Sequence, residues 1–247
     1  MTRFFIPADQ FGATSVAITG EDAHHLVKVV RQTIGDEVIV LNGKGQEYRA
    51  EISEIRGDAV LAMLIEPLRR SVEPQLQITL IQGMPKGEKF EWILQKNTEI
   101  GVTKFMPTIT ERSAIKLDAS ARVKKGERWR KIIKEAAEQS GRQLIPELEP
   151  VQDLPKLLRQ LPAGLLLIPW EGETERSIKE VLRAQTVAPS HVTVMIGPEG
   201  GFSLNEINQA QAAGAIPVTL GPRILRTETA GLAVSSILLY HFDEMGK

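Results

Sequence analysis

The stretch 196-IGPEGGFSLNE-206 decides how this 247-residue chain is read. Immediately upstream, 191-HVTVMI-196 is short, apolar and β-branched, as a buried strand is. Gly200 and Gly201 follow a proline and a glutamate, and without a β-carbon they permit positive φ and the close approach of another molecule. Ser203 and Glu206 have the S-x-x-E spacing of a capping box, which predicts a helix starting there. Strand, glycine turn and helix in succession suit a loop that cradles a small ligand.

Working outward, strands and helices alternate on both sides of that stretch. Strands are predicted at 76-LQITLIQ-82, 102-VTKFMPTIT-110, 164-GLLLI-168 and 215-AIPVTL-220. Helices are predicted at 86-KGEKFEWILQKNTEIG-101, closed by Gly101, at 126-GERWRKIIKEAAEQSGR-142 and at 229-TAGLAVSSILLYHF-242. This alternation predicts an α/β fold with a mainly parallel sheet covered by helices on both faces. The first 70 residues read differently. RFFI, SVAIT, DEVIVLN, QEYRAEISEI and DAVLAMLI are closely spaced strands, interrupted by one helix, 21-EDAHHLVKVVR-31, with Leu26, Val29 and Val30 on one face. Such spacing suggests a small β-barrel. Pro67 and Pro74 bracket a polar linker, so the expected domains are 1–70 and 71–247.

Composition narrows the function. Hydrophobic residues at 42% and charged residues at 25% allow a sizeable core. With 30 basic and 31 acidic residues there is no global electrostatic signature, so a nucleic-acid partner would be held by local basic patches. The chain has no cysteine, which removes thiolate nucleophiles, thiolate metal sites and disulfides. The start, MTRFFIPADQ, is not a signal peptide, and no apolar run approaches the ~20 residues of a membrane span. The expectation is a cytoplasmic protein with no membrane and no metal partner. His24-His25 point in different directions on a helix, and His191 and His241 lie in unrelated segments.

Three segments end a strand and open a loop: 166-LLIPWE-171, 196-IGPEGG-201 and 220-LGPRILRTETA-230. In an open parallel sheet, ligands bind beyond the carboxyl ends of the strands. Neither G-x-x-x-x-G-K-[ST] nor G-x-G-x-x-G occurs in these loops, which speaks against a nucleotide P-loop and a Rossmann site. The blander reading of LRTETA is a helix start, with Thr227 capping and Glu228 in the first turn. For a nucleic acid, 122-RVKKGERWRKIIK-134 carries basic residues at 122, 124, 125, 128, 130, 131 and 134 against Glu127 alone, a pattern that equally suits a solvated helix face, while Trp129, Ile132, Ile133, Ala136 and Ala137 are spaced to pack inward. Arg69-Arg70, Arg3, Lys28 and Arg31 extend the basic track. Glu138 and Arg142, at i and i+4, equally suit a structural pair, and Lys86, Glu91 and Glu99 a salt-bridged helix face.

IGPEGGFS followed by LGPRILRTETA resembles the C-terminal signature of the RsmE-type ribosomal RNA uridine-N3 methyltransferases of the SPOUT superfamily. RFF, HHLVKVVR, KGEKFEWILQKNTEIGV and EQSGR match in order, so the resemblance covers nearly the whole chain. It implies a SPOUT-type α/β domain with a deep C-terminal trefoil knot, a PUA-like N-terminal β-barrel that helps hold RNA, and a homodimer with the active site formed across it. It implies S-adenosylmethionine bound by Ile168, Pro169, Gly197, Pro198, Glu199, Gly200, Gly201, Leu220, Gly221, Ile224, Leu225, Arg226, Thr227, Thr229 and Ala230. The expected reaction is methylation of N3 of a uridine in 16S ribosomal RNA, free or in the small subunit. Arg223, Arg226 and Glu228 are the catalytic candidates, their separate roles open. Arg3, His24, His25, Lys28, Arg31, Lys86, Arg122, Lys124, Lys125 and Arg142 are the RNA-binding candidates. Two other readings stand beside this one: a related knotted enzyme acting on another RNA such as a transfer RNA, and a non-catalytic ribosome-assembly RNA-binding protein. The match along the barrel weighs against the first, and the intact loops against the second.

Overall fold

The structure is a computed structural model that describes residues 1–69, 72–113 and 119–246, with the backbone alone at 119–122. Arg70 and the side chain of Arg122 therefore lie outside the described residues. The chain divides into two compact units, Met1–Glu73 with Ala137–Ile145, and Pro74–Ala136 with Pro146–Lys247.

The first unit holds β1 (Arg3–Phe5), β2 (Ser15–Thr19), β3 (Glu37–Leu41), β4 (Glu47–Arg56) and β5 (Ala59–Pro67) in one sheet of order β1-β3-β4-β5-β2. β1 runs parallel to β3, and the other pairs are antiparallel. Register shifts in β4 at Arg49/Ala50 and Ile52/Glu54 bend the sheet, as bulges do, so that it curls around Phe4, Val16, Ile18, Val38, Val40, Ile52 and Val60. Val60 and Ala62 point inward while Leu61, Met63 and Ile65 face out, the period-2 alternation of a half-buried strand. The helix expected at 21–31 is α1 (Gly20–His24), which passes at once into a π-turn (His25–Val29) and ends at Arg31 with φ 62°. The widened turn breaks the 3.6-residue spacing, so Ala23 and Leu26 reach the core but Val29 and Val30 do not. The returning segment 137–145 completes this unit. Ala137 packs with Phe5 and Leu41, Glu138 accepts a hydrogen bond from the Phe5 N–H, and Arg142 pairs with Glu73 at 2.7 Å.

The second unit is built on a seven-stranded sheet. Its strands are β6 (Gln77–Gly83), β7 (Lys104–Ile109), β8 (Glu147–Leu148), β9 (Gln152–Asp153), β10 (Leu165–Pro169), β11 (His191–Ile196) and β12 (Ile216–Val218). The order is β12-β10-β11-β6-β7-β8, with β9 also on β7, and every pairing is parallel. β6 and β11 are buried almost end to end because helices cover both faces. One face carries α2 (Lys89–Ile100), the body of α3 (Ala119–Gln139), α5 (Ile178–Arg183) and α7 (Thr227–His241) over Leu80, Phe105, Val192 and Val194. The other carries α4 (Leu154–Leu157) and α6 (Leu204–Ala212) over Ile81, Met106, Ile168 and Met195. Gly101 closes α2 at φ 117°, and the capping box of Ser203 and Glu206 starts α6 as expected. No helix among the described residues is long and apolar enough to cross a membrane.

Candidate functional site

The carboxyl ends of β6, β10, β11 and β12 open into loops at one edge of the second unit. Between those loops lies a cavity of about 420 Å³, within the range of small-ligand pockets. Its wall is formed by Lys89, Pro169, Glu171, Ile196, Gly197, Pro198, Glu199, Gly201, Phe202, Ile224, Leu225, Arg226, Thr227 and Ala230. The three loops singled out in the sequence thus meet around one space.

Each loop is fixed by identifiable contacts. The Gly201 N–H donates to the Pro198 carbonyl at 2.9 Å and closes the GPEGG turn. Gly201 itself sits at φ 66°, where a β-carbon would stand 2.7 Å from Oε1 of Glu171. Gly83, at the end of β6, lets the neighbouring loop come so close that a β-carbon there would lie 2.6 Å from Cδ of Pro198. Arg112 braces the turn from the loop after β7, donating to the Gly200 carbonyl at 2.9 Å. Gln82, 1% exposed, donates from Nε2 to the Gly83 carbonyl and to Oγ1 of Thr227. Thr227 in turn donates to the Gly197 carbonyl at 2.6 Å. Thr227 is therefore the first residue of α7, not its cap: its hydroxyl ties the helix start to the glycine loop, and Arg226 occupies the cap position.

The charges of the site centre on Lys89. Its Nζ lies 3.0 Å from Oε1 of Glu199 and 3.4 Å from Oε2 of Glu228. The Lys86 N–H also donates to the Glu199 carboxylate, at 3.1 Å. Burial alone would raise the Glu199 pKa, but Lys89, its own backbone N–H and that of Lys86 outweigh it and hold the carboxyl below its ordinary value. The same contacts, Glu199 foremost, raise Lys89 and keep it an ammonium.

Several expected site residues sit beside the cavity or away from it. Ile168 is fully buried, because strand alternation turns it into the core with Met195 and Phe202. Leu220 packs against the core of the opposite face, Gly221 forms a turn at φ 103°, and Gly200 lies against Arg112. Arg223 and Thr229 are exposed, and Glu228 reaches the site through Lys89. Among the RNA candidates, Arg142 is 5% exposed with its guanidinium on Glu73, and Arg3 pairs with the buried Glu47 at 2.6 Å; both brace the first unit. His24, His25, Lys28 and Arg31 are exposed on that unit, the ring of His25 edge-on to Phe4. On the second unit Lys86 and Lys124 are exposed, and Lys125 extends toward the Trp129 ring. No cluster of metal-ligating side chains is found among the described residues. Lys89, Glu171, Gln82 and Arg112 were not singled out in the sequence. One signal was available: 83-GMPKGEK-89 also follows a strand, so it opens a fourth loop at the same edge.

Residues 72–239 match the RNA methyltransferase domain model, and residues 18–63 match the RNA methyltransferase PUA domain model. The chain belongs to the RNA methyltransferase family. It is 35% identical to the ribosomal RNA small subunit methyltransferase E of Bacillus subtilis over 98% of both chains. A match to the protein of that name from Synechocystis has 35% identity, covering 92% of this chain and 74% of the other. Among solved structures, a Legionella pneumophila methyltransferase in complex with bound SAM superposes with a TM-score of 0.89 at 34% identity over 97% of each chain. The ribosomal RNA small subunit methyltransferase E of Neisseria gonorrhoeae bound to S-adenosyl methionine gives 0.86 at 30%, also over 97% of each. The second unit is accordingly the methyltransferase fold, and the curled sheet of the first is the PUA domain of an RNA methyltransferase.

Proposed function

We propose that this RNA methyltransferase uses S-adenosylmethionine to methylate N3 of a uridine in 16S ribosomal RNA. The observation that carries the reading is the cavity where the loops after β10, β11 and β12 meet. The residues fit that cofactor: Gly197 and Gly201 put no side chain into the cavity, Ile224, Leu225 and Phe202 supply apolar surface for an adenine, and Pro169, Thr227 and Ala230 complete the wall. When bound, S-adenosylmethionine supplies the activated methyl group, so no metal is needed. The chain's own work is orientation and electrostatics. Arg226, on the cavity wall, and Arg223, exposed beside it, are placed to grip phosphate or offset negative charge, since arginine stays protonated. Glu228, whose carboxylate reaches the cavity beside Lys89, orients the N3 proton.

In the same reading the knot belongs to the segment from β10 to α7, and the basic surfaces hold the RNA: Lys28 and Arg31 on the first unit, Lys86, Lys124 and Lys125 on the second. The enzyme acts in the cytoplasm as a homodimer, supported by the exposed Ile237 and Tyr240 on α7. Sedimentation at micromolar concentration is expected to give twice the mass of the chain, and a single-chain mass would refute the dimer. The deciding experiment is titration calorimetry with S-adenosylmethionine, NAD and ATP. Saturable binding of S-adenosylmethionine alone is expected, and its failure with folded protein, with and without RNA, would overturn the reading.

A further inference from the structure

The deprotonation of uridine N3 leaves a negative charge on the ring, and a cation must meet it. Two cationic side chains line the cavity, Lys89 and Arg226. Lys89 differs from Arg226 in how it is held. It is the first residue of α2, its side chain is 35% exposed, and its ammonium is bracketed by carboxylates from two other loops, Glu199 at 3.0 Å and Glu228 at 3.4 Å. Both contacts are ion pairs, and Oε2 of Glu228 is buried. An ammonium has three donors, so with one carboxylate on each side a third remains for a group entering the cavity. The Glu199 carboxylate is further tied by the Lys86 N–H, so that loop stays anchored when Lys89 turns.

Resting on the reading above, we propose that Lys89 is a catalytic residue: its ammonium faces the uridine ring and stabilises the anion formed when N3 loses its proton. In the step it serves, the N3 proton passes to solvent and the electron pair of N3 forms the new N–C bond. The bond between that methyl carbon and sulfur breaks with its pair left on sulfur. A preorganised cation aimed at developing charge is worth more than one that must be reoriented from solution. Glu199 and Glu228 keep Lys89 charged and pre-positioned before the RNA arrives.

The test compares Lys89→Met and Lys89→Arg with the wild type on small-subunit RNA transcribed with uridine or with 5-fluorouridine, whose N3 is more acidic. Melting curves and calorimetric S-adenosylmethionine affinity are measured for all three proteins. Lys89→Met is expected to stay folded, to keep its cofactor affinity within a few-fold, and to lose roughly 100-fold in single-turnover rate on uridine RNA. On 5-fluorouridine RNA the loss, taken against wild type on the same RNA, shrinks by about tenfold or more, because a base that ionises by itself needs less help. Lys89→Arg retains most of the rate. Equal losses on the two RNAs, a loss of cofactor affinity, or a Lys89→Arg protein as impaired as Lys89→Met would overturn the proposal. A wild-type protein that binds no S-adenosylmethionine would instead overturn the functional reading beneath it.

Discussion

Gly201 and Thr227 show how far single side chains control this site. At φ 66° Gly201 occupies the left-handed region, which costs an L-residue about 1–2 kcal/mol, and a β-branched one more. Its added β-carbon would also meet Glu171. Gly201→Val is expected to yield a folded protein with no measurable S-adenosylmethionine binding by calorimetry, and normal affinity would refute the assignment of this loop. Thr227→Val keeps the shape and removes the hydroxyl that links Gln82 to the Gly197 carbonyl. Leaving those buried groups short of partners costs about 1–3 kcal/mol, visible as a lower urea midpoint with unchanged slope. The glycine could be read from the sequence because a doubled glycine after a proline is a local signal. The threonine's role could not: its partners are Gln82 and Gly197, distant in sequence, and the residue itself imitates an ordinary helix cap.

The long elements of the second unit are legible, since buried parallel strands leave unbroken apolar runs and their helices carry caps and closing glycines, whereas β8, β9, α4 and α5 are too short to show a period. Val29 and Val30 show the limit, because a π-turn has no sequence period of its own and the pattern was read at 3.6. Lys89 is another kind of miss. On a helix its charge looks like solvated surface, and only the parallel order of β6 beside β11 brings it to Glu199. His191 lies at the opposite end of β11. His191 is lowered below its ordinary 6.5, chiefly by burial and further by Lys104, against a raising contact with the Ala163 backbone. The folded protein thus binds this proton less tightly than the unfolded chain. Its stabilising contribution is complete above pH 6.5 and is lost as pH falls through the lower folded value. Urea midpoints measured between pH 7.5 and 5 should fall, and His191→Gln should flatten that decline; an unchanged slope would exclude His191 as its source.

At the scale of the molecule, near-neutral charge overall leaves RNA binding to local patches, so affinity should be strongly salt-dependent. Replacing Lys124 and Lys125 together by alanine is expected to weaken binding to small-subunit RNA and to reduce the slope of log affinity against log salt by about 2, read by filter binding. An unaltered slope would place the RNA elsewhere. The sequence could not show that the first unit is discontinuous, because a linker near residue 70 reads as the end of a domain. Glu73 nevertheless takes the Arg142 guanidinium and the Gln143 and Leu144 N–H groups, and Glu47 accepts from the Gln143 side chain. This has a consequence for biosynthesis. When the ribosome has released the first 73 residues, Glu47 already has Arg3 to pair with, but the Glu73 carboxylate still awaits partners encoded some seventy codons downstream. The nascent PUA domain is left ajar through the translation of the β6–α3 segment, and the unit begun first is closed only from the far side of that segment.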